Sequence, residues 1–307
     1  MRSNFEKMMN LTLVSTFFCL WFTVNFEEQI EQTVAFALIL SFGILHGAND
    51  FKLLRKSFSK SSSKKPGSIL FIYITIVLLG AILFYYLPAI ALITFILFSA
   101  YHFGEQHWEH QFKGKKAIRH LVYGFHGLVV LGMLFITNQD EVLIIVANLT
   151  THNIPALYIG LLFTMSAILF VISVGYAIYT DSTNTIIIKE LFYLFVFFIV
   201  FKLASLIWAF CIYFVLWHSI PSLFEQVKYL YGDFNHKTVL QYLKSSFAYW
   251  LVSIIGLLLI YYFLKDSQLL FLSVFFAFLA AITFPHVIVM FRLHDENKSE
   301  KGSNLKS

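Results

Sequence analysis

Charge is what this chain has least of. Aspartate, glutamate, lysine and arginine together make up 13% of 307 residues, about half the share of an ordinary soluble domain. A soluble globular protein could not cover its surface with so little, and that class is excluded. Cysteine is nearly absent too. The two present, Cys19 and Cys211, lie inside apolar runs without metal-type spacing, which removes a disulfide framework and a zinc knuckle. No repeat of 20 to 50 residues is visible. What is there instead is apolar: 59% hydrophobic residues and a mean hydropathy of +0.75, the composition of an integral membrane protein.

Apolar windows of roughly 17 to 25 residues fall near 10–26, 32–48, 68–86, 88–104, 120–137 and 155–179. The run from Ile186 to Trp217 is too long for one crossing at about 1.5 Å per residue. Lys202 interrupts it, so it divides into two helices. Two more follow near 246–264 and 267–291. The expected fold is all-α, a polytopic helical membrane protein of about ten transmembrane helices, within a range of eight to ten. Residues 1–292 form one transmembrane domain in this reading. The serine- and lysine-rich linker at 57–68 and a tail at 293–307 are expected without order. MRSNFEKMMN leads into LTLVSTFFCLWFTV with no small-residue cleavage site, so the first helix reads as a retained anchor.

Loop charge orients the bundle. Lys52, Arg55, Lys56, Lys60, Lys64 and Lys65 separate spans 2 and 3, and Lys113, Lys115, Lys116 and Arg119 separate spans 4 and 5. Those loops are expected in the cytoplasm, with the acidic Glu27, Glu28, Glu31, Asp140 and Glu141 on the other side. Both termini are then cytoplasmic, in the inner membrane. The net charge of +5 reflects topology and anionic lipid, and a nucleic-acid surface is not indicated.

This topology brings four histidines to one depth. His46 ends span 2 in ILHGANDF, His102 ends span 4 in AYHFGEQHW, His218 ends span 8 in VLWHSIPS, and His286 lies near the end of span 10 in TFPHVIVM. All four helices run toward the cytoplasmic side. A polar group in hydrocarbon is costly unless paired or coordinated, and neutral imidazole ligates Zn, Cu or Fe without burying ligand charge. The competing reading of any one of them is an interfacial residue or a helix C-cap. Asp50, four residues after His46, either orients that imidazole or pairs with Lys52 and Arg55. Gly47, directly after His46, and Gly104, two residues after His102, suit C-capping or close backbone approach. Pro221 and Pro285 remove donors for the Trp217 and Ala281 carbonyls. His107 lies about 140° around the helix from His102, so it reaches the same ion only if the helix has ended; His126 is a further reserve ligand.

HGANDF (46–51), YHFGEQHW (101–108), WHSIPS (217–222) and PHVIVM (285–290) together resemble the Brp/Blh group of bacterial and archaeal membrane proteins. The best-understood members are β-carotene 15,15′-dioxygenases found with retinal-binding proton pumps. The resemblance implies a ferrous, Fe(II), centre near the cytoplasmic side, molecular oxygen as co-substrate, and central cleavage of β-carotene to two retinals, with a retinal-binding rhodopsin as recipient. Three ligands carry over, as His46, His102 and His218. The family's second histidine in the span 8 motif is Ser222 here, so His286 is expected to complete the set, with His107 second. The alternative is a three-histidine site of altered activity. Aromatic residues beside these histidines, Phe51, Tyr101, Phe103, Trp108, Tyr213 and Trp217, are the candidates for gripping a polyene. A noncatalytic carotenoid- or retinal-binding or opsin-assembly protein is the rival reading. A retinal-binding opsin would need a lysine deep in a late helix, and a di-iron desaturase several HxxxH or HxxHH boxes; neither pattern occurs.

Overall fold

The computed structural model describes residues 2–61, 66–112, 116–183, 185–264 and 268–304. Its helices are α1 (Arg2–Asn25), α2 (Glu28–Leu38), α3 (Ile44–Gly47), α4 (Asp50–Ser61), α5 (Pro66–Tyr86), α6 (Pro88–Trp108), α7 (Lys116–Thr137), α8 (Gln139–Thr150) and α9 (Ala156–Tyr179), followed by α10 (Ile187–Leu203), α11 (Leu206–Cys211), α12 (Ile220–Tyr231), α13 (His236–Leu264) and α14 (Gln268–Asn304). Two π-helical stretches interrupt them, π1 (Ile39–Gly43) before α3 and π2 (Ile212–Ser219) before α12. Nine helical runs among the described residues are long and apolar enough to cross a membrane. The chain is an all-α polytopic membrane protein.

The long run near 186–217 does divide, two residues after Lys202. Ala204 and Ser205 are extended, and α10 is left with 17 residues. The freed groups at this break are met by side chains. Glu31 Oε2 accepts the Ser205 N–H at 3.2 Å, and Asn138 Nδ2 donates to the Phe201 carbonyl at 3.1 Å. At the other end of the chain α14 continues to Asn304, so residues 293–304 of the expected tail are helical. Lys64, Lys65, Lys113, Lys115 and Lys265 lie outside the described residues.

The helices group into two compact units, residues 1–43 with 96–222 and residues 44–95 with 223–307. In the first, α6 and α7 meet backbone to backbone. A Cβ on Gly104 would stand 1.9 Å from the Tyr123 carbonyl oxygen, and one on Gly127 would stand 1.7 Å from that of Ala100. Gly104 therefore lies inside a helix as a point of close approach, not as a C-cap. Small residues are how membrane helices reach such contact. In the second unit α14 packs on α4 and α5: Leu53, Val289, Met290 and Leu293 form a core joined by Leu54, Tyr73, Tyr229 and Leu230, and Phe284 covers Gly80.

A cavity of about 330 Å³ in the first unit is lined by Glu28, Glu31, Asn138, Glu141 and Ser205 among others. Burial, and then the neighbouring Glu28, push the Glu141 carboxyl above its ordinary value of 4.5. The folded state thus favours the neutral acid, and stability is lost as pH rises from 4.5 through the raised value. Glu141→Gln should raise the melting temperature in detergent at pH 7, and the gain should vanish near pH 4. An unchanged difference across that range would refute the assignment.

The glycine contacts give a second test. Gly104→Ala and Gly127→Ala should each cost at least about 2 kcal/mol, the scale of overpacking, seen as a lowered thermal midpoint. Gly175→Ala on α9, where an added Cβ meets nothing within 4 Å, should leave the midpoint unchanged or slightly higher.

Candidate metal-ligating histidines

The second unit holds His46 and His286. His46 lies on α3 and is 4% exposed. The chain turns at Ala48 and Asn49 before α4 begins at Asp50, and this break is held from α13. Asn49 Nδ2 donates to the Tyr242 carbonyl at 3.2 Å, and the Tyr242 hydroxyl lies 3.2 Å from the His46 carbonyl oxygen and 2.7 Å from Gln226 Oε1. His286 follows Pro285 inside α14. The two imidazoles stand edge to face, centroids 4.7 Å apart at 90°.

Asp50 serves His286, not His46. Its Oδ1 accepts from His286 Nδ1 at 2.9 Å, and its Oδ2 accepts from the Tyr73 hydroxyl at 3.2 Å. The reason is the break: α3 and α4 are not one continuous helix, so four residues of separation do not put Asp50 on the face of His46. Nor does Asp50 hold Lys52, whose Nζ donates to the Tyr231 hydroxyl at 2.7 Å. Gly47 ends α3, and a Cβ there would be in ordinary contact with His286 and Asp50.

The first unit holds His102 and His218. His102 is on α6, His218 is on π2, and both are buried. Their centroids are 4.8 Å apart at 80°. Phe103 lies 4.7 Å from the His218 ring, and Phe214 stacks on that ring at 5.6 Å. Gln106, one turn after His102, donates from Nε2 to the His218 carbonyl at 3.0 Å. Ser222 is fully buried. His46, His218 and His286 are all buried and are of the ligand type that could hold a metal ion. Each unit thus holds one buried pair of imidazoles, a donor type that suits Fe(II) chemically.

The two reserve ligands stand elsewhere in the first unit. Because α6 continues through Trp108, His107 points away from His102, and its Nε2 donates to Glu190 Oε2 at 2.6 Å. Its ring stacks on His126, centroids 4.6 Å apart at 17°. Imidazoles stacked face on face do not aim in-plane lone pairs at a common point, so this pair is not arranged to share an ion. Gln111 Nε2 donates to Glu190 Oε1 at 3.1 Å, completing a buried polar cluster. Sequence reading passed over Glu190 and Gln106. A carboxylate within an apolar run and an amide one turn beyond a candidate ligand were the signals for them.

The aromatic candidates divide in the same way. Within the first unit Phe103 and Tyr213 pack together at 5.4 Å. Trp217 packs on Phe197 at 4.8 Å, and its Nε1 donates to Thr16 Oγ1 at 2.9 Å. Trp108 lies with His126, Phe112 and Phe170, while the Tyr101 hydroxyl bonds His120 Nδ1. In the second unit Phe51 is half-buried on α4.

A family model described as "Beta-carotene 15,15'-dioxygenase" matches residues 37–294. No curated protein and no solved structure matches the chain.

The buried contact between His107 and Glu190 is testable apart from any metal. His107→Leu leaves Glu190 without its basic partner and should cost about 3 kcal/mol. The double variant His107→Leu/Glu190→Leu should recover most of that loss, because two apolar groups replace the pair. Additive losses in a thermal double-mutant cycle would show that the two side chains are not coupled.

Proposed function

Since the chain belongs to the beta-carotene 15,15'-dioxygenase family, we propose that it cleaves β-carotene with O2 at the central 15,15′ double bond, giving two retinals. Each half of the polyene then gains one oxygen atom, so the atoms of one O2 are accounted for. The proposed ligands of its Fe(II) are His46, His102, His218 and His286. The single observation that carries this is chemical. All four positions of the sequence motifs are buried imidazoles, held as two edge-to-face pairs. Bound there, Fe(II) supplies the activation of O2.

The chain's own residues do the rest. Asp50 accepts the Nδ1 proton of His286, which fixes the tautomer and makes Nε2 the ligating nitrogen. Phe103 and Phe214 lie against the His218 ring, and Tyr213 packs on Phe103. They exclude water and offer a polyene the apolar contact it needs. Choice of bond follows from placement of the substrate, and no side-chain acid or base is required. The site lies near the cytoplasmic side of the inner membrane in this reading.

A carotenoid-producing host expressing the chain should lose its orange colour and accumulate retinal. Retained colour with intact membrane-inserted protein would instead favour a noncatalytic carotenoid- or retinal-binding role, the reading that Ser222 motivates. His46→Ala, His102→Ala, His218→Ala and His286→Ala should each abolish retinal formation and lose iron, whereas His107→Ala should keep it. Iron retained in His286→Ala would remove that residue from the set. Ser222→His would then be expected to raise iron affinity, position 222 being one turn from His218.

A further inference from the structure

The helix that carries His218 has an unfinished ladder. In π2 each rung spans five residues, the last being the Ile220 N–H to the Val215 carbonyl. The next would run from residue 221 to the Leu216 carbonyl, and Pro221 has no N–H to give. Thr12 Oγ1 on α1 lies 3.4 Å from that carbonyl oxygen. Two residues further on, the His218 carbonyl receives Gln106 Nε2 at 3.0 Å. Gln106 is 7% exposed, and its Oε1 has no partner among the described residues. An amide half satisfied in an apolar interior is costly. Leucine or methionine would fill the space without that cost.

Gln106 shares a face of α6 with His102, four residues before it. One side chain therefore links the helix bearing one imidazole to the backbone of the residue bearing the other, and all the residues concerned belong to the same compact unit. We propose that Gln106 is a positioning residue for the metal centre: its amide fixes the backbone of His218 relative to α6 and so sets how the His102 and His218 rings face each other. The inference rests on the metal centre proposed above. The chemistry needed is a donor at one point, which is why an amide is kept where a hydrocarbon would pack. A loosened His218 keeps its nitrogen but loses the fixed approach that a multidentate site depends on, a loss of the kind that costs 10- to 100-fold in metal affinity.

The test uses the full chain in detergent with Co(II) as the probe, read by titration of its visible ligand-field bands. Gln106→Met removes the donor at nearly constant volume. Its Co(II) affinity should fall about 10-fold or more, with altered bands. The rise in melting temperature that Co(II) brings should shrink, whatever the stability of the metal-free variant. Affinity, bands and thermal increment all equal to wild type would overturn the proposal. Should the Met variant not fold, Gln106→Asn, one methylene too short to reach, supplies the same comparison with the same deciding outcomes. His102→Ala is measured alongside. Wild-type Co(II) binding by that variant would defeat the metal centre itself, whereas its loss together with an unaffected Gln106 variant would defeat only the role given to Gln106.

Discussion

Hydrocarbon gives a polar atom nothing to bond to, and the placement of polar side chains in this protein follows from that. Most hydroxyls answer within their own helix: Thr16, Thr94, Thr137 and Ser166 each donate to the carbonyl four residues back. Such bonds carry no tertiary information. Several polar side chains that reach across to another helix do so where a ladder is interrupted. Glu31 and Asn138 serve the break between α10 and α11. Tyr242 and Asn49 serve the break between α3 and α4. Thr12 and Gln106 serve the stretch before Pro221. Two of these three breaks adjoin a candidate ligand, His46 or His218. The irregular backbone that presents an imidazole is thus the same backbone that needs a polar neighbour.

That constraint also decides what could be read in advance. Helix number and the division of the long run near Lys202 followed from hydropathy, because apolar length is a local property. The histidines stood out for the same reason: imidazole in an apolar run is conspicuous without any knowledge of neighbours. Asp50 was found, but neither reading open to it, orienting His46 or pairing with Lys52 and Arg55, named His286, because four residues of spacing implies a shared face only in an unbroken helix, and Ala48 and Asn49 break this one. Gly104 resembled a cap in sequence because glycine near the end of an apolar run often is one. Its close approach to Tyr123 depends on a second helix. Glu190 was missed because its partner, His107, is 83 positions away.

The same spacing logic separates the histidines by role. His102 and His107 are five residues apart on one continuous helix, so they face different neighbours. One meets a second imidazole edge to face, and the other meets a carboxylate and a stacked ring. Identical side chains in one motif thereby acquire different chemistry, one suited to ligation and one to bonding a buried carboxylate.

The π-helical stretches have a consequence for what changes in length the chain can tolerate. A π stretch amounts to one residue added to an α-helix, and it comes immediately before α3 and again within π2 at His218. Deleting one residue from either would let the ordinary ladder re-form, which is locally favourable. It would also turn every later side chain on that helix by about 100°, carrying the imidazole off its face. These two segments are therefore where a single-codon deletion would leave the helix sound and ruin its register.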